Sequence, residues 1–254
     1  MRYLARHPSL SEEQRTRATE SLNDILFKSG SATCESVQAH FLPLLDGYKS
    51  DIVYLKNLVS LMGRMGCMAS ELYLQASTYL FDADPTSEMA LYLAGTFLEA
   101  GEPAKASDLY GKAVEMETDP AVRAGIYCKM SMVSQTLGDF LTGRELAKKA
   151  LEINPEMGEA YLAIGIAYAG SAEQCGENDF EKQAVFWAAV DKFAEALAAD
   201  PSVKDEAEEL IRQYSPYFPD NETAFFYGYN DGDTYHVACW INEDTSVRTR
   251  KIAK

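Results

Sequence analysis

The residues in this 254-residue chain best suited to chemistry are its five cysteines, Cys34, Cys67, Cys128, Cys175 and Cys239. No two form a Cys-x-x-Cys pair, so zinc ligation and thioredoxin-like exchange get no support. An odd number leaves at least one without an intrachain partner. Cys34 and Cys67 stand 33 residues apart, and each follows a glycine, Gly30 or Gly66, in what reads as the turn between paired helices. If equivalent turns lie side by side, a disulfide is open to them once their Cα atoms come within about 7 Å. Two half-buried thiols is the alternative, and the sequence slightly favours it. A bridge would imply an oxidising compartment.

Other candidates for chemistry are thin. His7, His40 and His236 are scattered, and His236 reads as an edge residue between Tyr235 and Val237 on an expected strand. Asp231-Gly232-Asp233 lacks the further carboxylates of a calcium loop and reads as a turn. Asn221-Glu222-Thr223 matches a glycosylation sequon, a pattern short enough to arise by chance. The sequence has no glycine-rich phosphate loop, HExxH or GxSxG. No catalytic residue, metal ligand or cofactor is therefore assigned. The enzyme reading would revive only with a buried carboxylate or cysteine of strongly shifted pKa in a cleft.

The elements that must position these residues are helices. Ala90, Leu93, Ala94 and Phe97 share one helical face, Gly101 stops that helix, and Ala106, Tyr110 and Ala113 give a second one its apolar face. Small residues at a crossing let two helix axes approach closely. A similar spacing recurs in Tyr127, Met130, Ser131, Ser134, Gly138, Gly143, Ala147 and Ala150. It returns in Tyr161, Ile164, Gly165 and Tyr168, completed by Ala189, Phe193 and Ala196. Pro85, Pro120 and Pro155 stand 35 residues apart, and Pro201 closes the last unit. Proline cannot continue a helix interior, so each separates one unit from the next.

This pattern resembles the tetratricopeptide repeat (TPR). The resemblance implies an all-α fold, an α-α superhelix, to which the β-prone end of the sequence adds a small C-terminal antiparallel β meander. The expected layout is a helical array over 1–213. Degenerate repeats cover 9–50 and 51–85, clearer ones 87–120, 121–155 and 158–201, and a capping helix 202–213 starts at Ser202. Pro43 should kink or shorten the helix carrying Val37, Phe41, Leu44 and Leu45. An insertion from Ser171 to Gln183 lies where the last hairpin turns, with Trp187 beneath it in a structural role. Residues 214–254 follow as an appendage packed on the final helices. Thr223–Tyr229 forms its first strand, Asn230–Asp233 a hairpin turn, Thr234–Ile241 a second strand and Thr245–Arg250 a third. Arg248, Arg250, Lys251 and Lys254 are expected to face acidic helix surface. Tyr3–Pro8 looks like the tail of a repeat helix, so the chain is expected to begin inside a longer array.

A net charge of −16 disfavours nucleic acid and anionic membranes, and no run of 18 apolar residues could cross a bilayer. The partner implied is a protein or peptide in a concave groove lined by the first helix of each hairpin. Carrying the repeat register over, the groove positions are Lys56, Ser60 and Arg64, then Glu88, Leu91, Leu98 and Glu99. Cys128, Met132 and Gln135 continue them, followed by Leu162 and Ile166. The alternative is a structural subunit of a cell-envelope assembly that uses the aromatic C-terminal segment as its interface. The array with this segment also resembles a group of exported bacterial TPR proteins, which implies a periplasmic or surface location if an upstream export signal exists and a cytoplasmic one otherwise.

Overall fold

The structure is a computed structural model and describes Ser11 and residues 33–250. The expected first helix up to Gly30 (Ser11 apart), the Tyr3–Pro8 segment, Lys251 and Lys254 lie outside those residues. Two compact units divide the chain, one up to Met116 and the other from Glu117 onward.

Local chemistry sets the helix starts in the first unit. Thr33, Asp51, Ser70 and Thr86 each cap a helix by accepting a hydrogen bond from a backbone N–H of its first turn. The helices are α1 (Cys34–Phe41), α2 (Ile52–Arg64), α3 (Glu71–Ala83), α4 (Ser87–Glu99) and α5 (Pro103–Met116). At Pro43 the chain leaves α1 for a 3-10 turn over Leu42–Tyr48, because proline lacks the N–H that a further α-turn needs. Leu55, Leu58, Met62, Leu72, Ala76 and Leu80 fill the space between α2 and α3. Cys34 and Cys67 are bridged, with Cα atoms 5.6 Å apart, which ties the start of α1 to the turn between α2 and α3. In α4 and α5 the buried residues include the alanines and aromatics of the repeat, Ala90, Ala94, Phe97, Ala106, Tyr110 and Ala113, together with Leu93, Thr96 and Leu109. Gly101 turns between these helices at φ +75°.

In the second unit α6 (Pro120–Thr136) pairs with α7 (Phe140–Ile153) around Gly138 at φ +81°, and α8 (Gly158–Gly170) pairs with α9 (Asp179–Ala199). Gly165 on α8 lies directly against the Phe193 ring and the Ala189 carbonyl of α9. Helix α9 runs 21 residues against 14 for α7, because the inserted segment becomes helical from Asp179, capped by Asn178. Only the short stretch before it is loop, with a 3-10 turn at Ala172–Gln174. Asp200, not Ser202, caps the next segment: a 3-10 turn spans Pro201–Val203, and α10 (Lys204–Tyr214) follows.

The end of the chain departs from expectation. Residues 221–226 are helix α11 (Asn221–Phe226), not strand, because the Asp220 carboxylate accepts from Thr223 N–H and nucleates a turn that β-propensity does not overcome. Asn230–Asp233 is a turn, with Gly232 at φ +92°, but it joins α11 to a strand. The sheet has two strands, β1 (Thr234–Val237) and β2 (Glu243–Ser246), paired antiparallel with Tyr235 opposite Thr245. Their connection is 238–242, where Cys239 and Asn242 adopt positive φ.

Candidate interaction surface

A capped amphipathic helix that buries one face must leave another to solvent. In α2, burial of Leu55, Leu58, Leu61 and Met62 leaves Lys56, Ser60 and Arg64 exposed. Lys56 Nζ lies 3.0 Å from Asp84 Oδ2 at the end of α3, an exposed pair worth about 0–1 kcal/mol. In α4, Glu88 and Glu99 are exposed while Leu91 and Leu98 are half-buried, so an acidic residue flanks each open leucine. Beside them the Tyr92 hydroxyl hydrogen-bonds that of Tyr73. Burial, then that bond, pushes the Tyr73 phenol well up.

The second unit treats the same register differently. Met132 is 59% exposed on α6, but Cys128 and Leu162 are buried members of the unit's core, and Ile166 is half-buried. Cys128 and Leu162 are therefore not open groove positions. Helices α6 and α8 are neighbours, and core packing covers residues that the repeat register alone assigns to solvent. Gln135 donates from Nε2 to the Ala163 carbonyl at 2.9 Å and to Ser131 Oγ at 3.1 Å. Burial, followed by the nearby Glu159 charge, pushes the Cys128 thiol up to about 12. At neutral pH it is an inert apolar group rather than a nucleophile.

The C-terminal segment is seated on α7, α8 and α9 by contacts that spacing did not indicate. Phe180, on the extra length of α9, stacks on Tyr227 at 4.5 Å and meets Trp187 and Tyr235 edge-on. Trp187 is fully buried and donates from Nε1 to the Arg248 carbonyl at 2.7 Å. The Arg248 guanidinium reaches Asp191 at 2.8 Å and the Trp187 carbonyl at 2.6 Å, so the expected pairing with helix acids is specific to Asp191. Arg250 pairs instead with Asp220, at 3.6 Å. Arg144 lies 4.9 Å over the Trp240 ring and donates to the Trp240 and Ile241 carbonyls. The Tyr168 hydroxyl donates to Glu243 Oε1 at 2.6 Å; burial and this carboxylate raise its pKa. A second disulfide, Cys175–Cys239, joins the inserted loop to the 238–242 connection. The segment still leaves Phe225 and Phe226 72% and 82% exposed.

Among the described residues no group of three or more His, Cys, Asp or Glu side chains could hold a metal ion, and no helix is long and apolar enough to cross a membrane.

No family model matches the chain. The Photosystem I assembly protein Ycf3 of Synechococcus elongatus is 28% identical over 126 residues, which are 48% of this chain and 73% of the relative. Ycf3 of Cyanophora paradoxa is 26% identical over 114 residues, 44% and 66% of the two chains. Among solved structures, MamA is 20% identical with a TM-score of 0.49, covering 75% of this chain and 94% of MamA. YrrB, described as a TPR protein with an unusual peptide-binding site, is 15% identical with a TM-score of 0.39, covering 77% and 98%. The fold is TPR-like: helical hairpins with small residues at their crossings and a small two-stranded sheet at the C-terminal end.

Proposed function

We propose that the chain is a non-catalytic TPR-type scaffold that holds a partner protein or peptide along the first helices of its hairpins. The observation that carries this reading is the open face of α2 and of α4 in the first unit, each lying opposite the face that packs the hairpin. On α4 it places Leu91 and Leu98 between Glu88 and Glu99, an apolar strip with charged edges of the kind that takes a partner helix or extended peptide. The likeness to an assembly protein supports the same reading. The test is titration of the chain's co-purifying partner against Leu91→Asp and Leu98→Asp variants. A loss of affinity of at least about tenfold is expected, and unchanged affinity in both removes the first-helix face from consideration.

A second reading has its own observation. The neighbouring phenylalanines Phe225 and Phe226 stand open on a segment otherwise packed down by aromatics, which suits an interface in a larger assembly. Two disulfides, one in each unit, support an exported location and with it an envelope assembly. Fractionation of the native host, with alkylation of free thiols at lysis, tests the location. Recovery in the cytosol with all five cysteines alkylated would exclude it.

A further inference from the structure

The reading of the C-terminal segment as an interface raises the question of what it contacts, and the inference here rests on that reading. We infer that Phe225 and Phe226 dock a cationic amphipathic segment of a partner protein.

The fold makes little use of these two rings: they are 72% and 82% exposed, and Phe226 meets the adjacent Tyr227 ring edge-on at 5.4 Å. Their neighbour Ala224 is buried, Phe218 is buried, and Tyr227 lies stacked on Phe180, so the chain on both sides is pinned while the two phenylalanines face outward. The helix that carries them is held by the Asp220 cap and by the Asp220–Arg250 pair. Two adjacent rings on a fixed support resemble the anchors around which interfaces concentrate their energy.

Charge selects the occupant. Residues 200–233 contain nine carboxylates and two basic residues, and both basic residues are already paired within α10, Lys204 with Glu208 and Arg212 with Glu209. Glu222 is exposed, three and four residues before the two rings, which places it on their side of the helix. An anionic lipid surface or an acidic peptide would be repelled here. A second copy brings the same charge of −16 to the contact and is repelled as well. An apolar stripe flanked by lysine or arginine satisfies both the rings and the carboxylates.

The test uses the intact chain and two labelled synthetic helices of identical length, one of lysine and leucine, one of glutamate and leucine, followed by fluorescence anisotropy. The lysine/leucine helix should bind, weaken as salt is raised, and lose at least about tenfold in affinity to a Phe225→Ser/Phe226→Ser variant. Both phenylalanines are exposed, so the serine variant should melt like the parent chain. Equal binding by the serine variant, or tighter binding of the glutamate/leucine helix, overturns the inference. So does self-association in sedimentation, or binding to phosphatidylglycerol vesicles, that the serine substitutions abolish. The underlying interface reading fails separately, if the serine variant expressed in the native host retains every co-purifying component. Loss of those components without binding of the lysine/leucine helix rejects only the cationic partner.

Discussion

Gly165 offers the sharpest test of how the hairpins are built. A Cβ added there would stand 2.4 Å and 2.7 Å from two ring carbons of Phe193 and 2.9 Å from the Ala189 carbonyl oxygen. Phe193 is fully buried and cannot swing away, and the carbonyl belongs to the α9 backbone. Overpacking of this kind costs about 1–3 kcal/mol, while alanine in place of glycine in a helix returns about 1 kcal/mol of propensity. With a ring and a backbone atom both obstructing, the Gly165→Ala variant should be less stable by about 1–2 kcal/mol. Gly125→Ala on α6 is the control, because nothing lies within 4 Å of a Cβ there; it should be more stable by about 0.5–1 kcal/mol. Both tryptophans, Trp187 and Trp240, belong to the second unit, so urea unfolding followed by their fluorescence reads the right part of the molecule. Phe193→Leu introduced beside Gly165→Ala should recover part of the loss, giving a non-additive double-mutant cycle. A Gly165→Ala protein as stable as Gly125→Ala would mean that close approach of α8 and α9 at this point does not limit packing, and the account of the small residues would fail.

Three further outcomes are expected. Iodoacetamide under denaturing, non-reducing conditions should label Cys128 alone by mass spectrometry, with all five cysteines labelled after reduction; two or more labels without reductant would contradict the pairing. Because the folded thiol of Cys128 sits near 12 and an unfolded one near 8.5, its stabilising contribution is complete below about pH 8.5 and is lost as pH rises toward 12. The slope from this group is at most about 1.4 kcal/mol per pH unit, so Cys128→Ala should show a shallower alkaline decline, and parallel curves would refute the assignment. Trp187→Ala should cost about 3–5 kcal/mol and speed tryptic cleavage at Arg248, whose carbonyl loses its donor; an unchanged digestion rate would show that the tail is seated without it.

The helical hairpins were legible because their constraint is written locally. Ala94, Gly165, Ala189 and Phe193 must be small or aromatic where two helices cross, and that need recurs with the repeat. The C-terminal segment was less legible because distant partners set its shape. Trp187 and Arg248 are 61 residues apart, and Arg144 and Trp240 are 96 apart, separations that no periodicity reports. In Thr223–Tyr229 the β-prone side chains count for less than the single carboxylate of Asp220, which starts a helix there. Asn230–Asp233 is the expected turn and Thr234–Val237 lies in the expected strand beyond it, while the segment before it is helix α11. Register predicted exposure well for Lys56 and Met132. It failed for Cys128 and Leu162, where a neighbouring first helix supplies cover that one hairpin considered alone does not have.

Gln135 carries a consequence for how binding preference could change over time. Its amide links α6 to α8 through Ala163, and its Cγ atom would stand 2.8 Å from a Cβ added at Gly143 of α7, so one side chain keys three helices together. Leu91 and Leu98 have no such second duty among the described contacts. Selection for a new ligand can explore α4 freely, whereas any replacement at Gln135 disturbs the frame before it alters what the frame holds. Divergent copies of this chain should therefore vary first at Leu91 and Leu98 and last at Gln135.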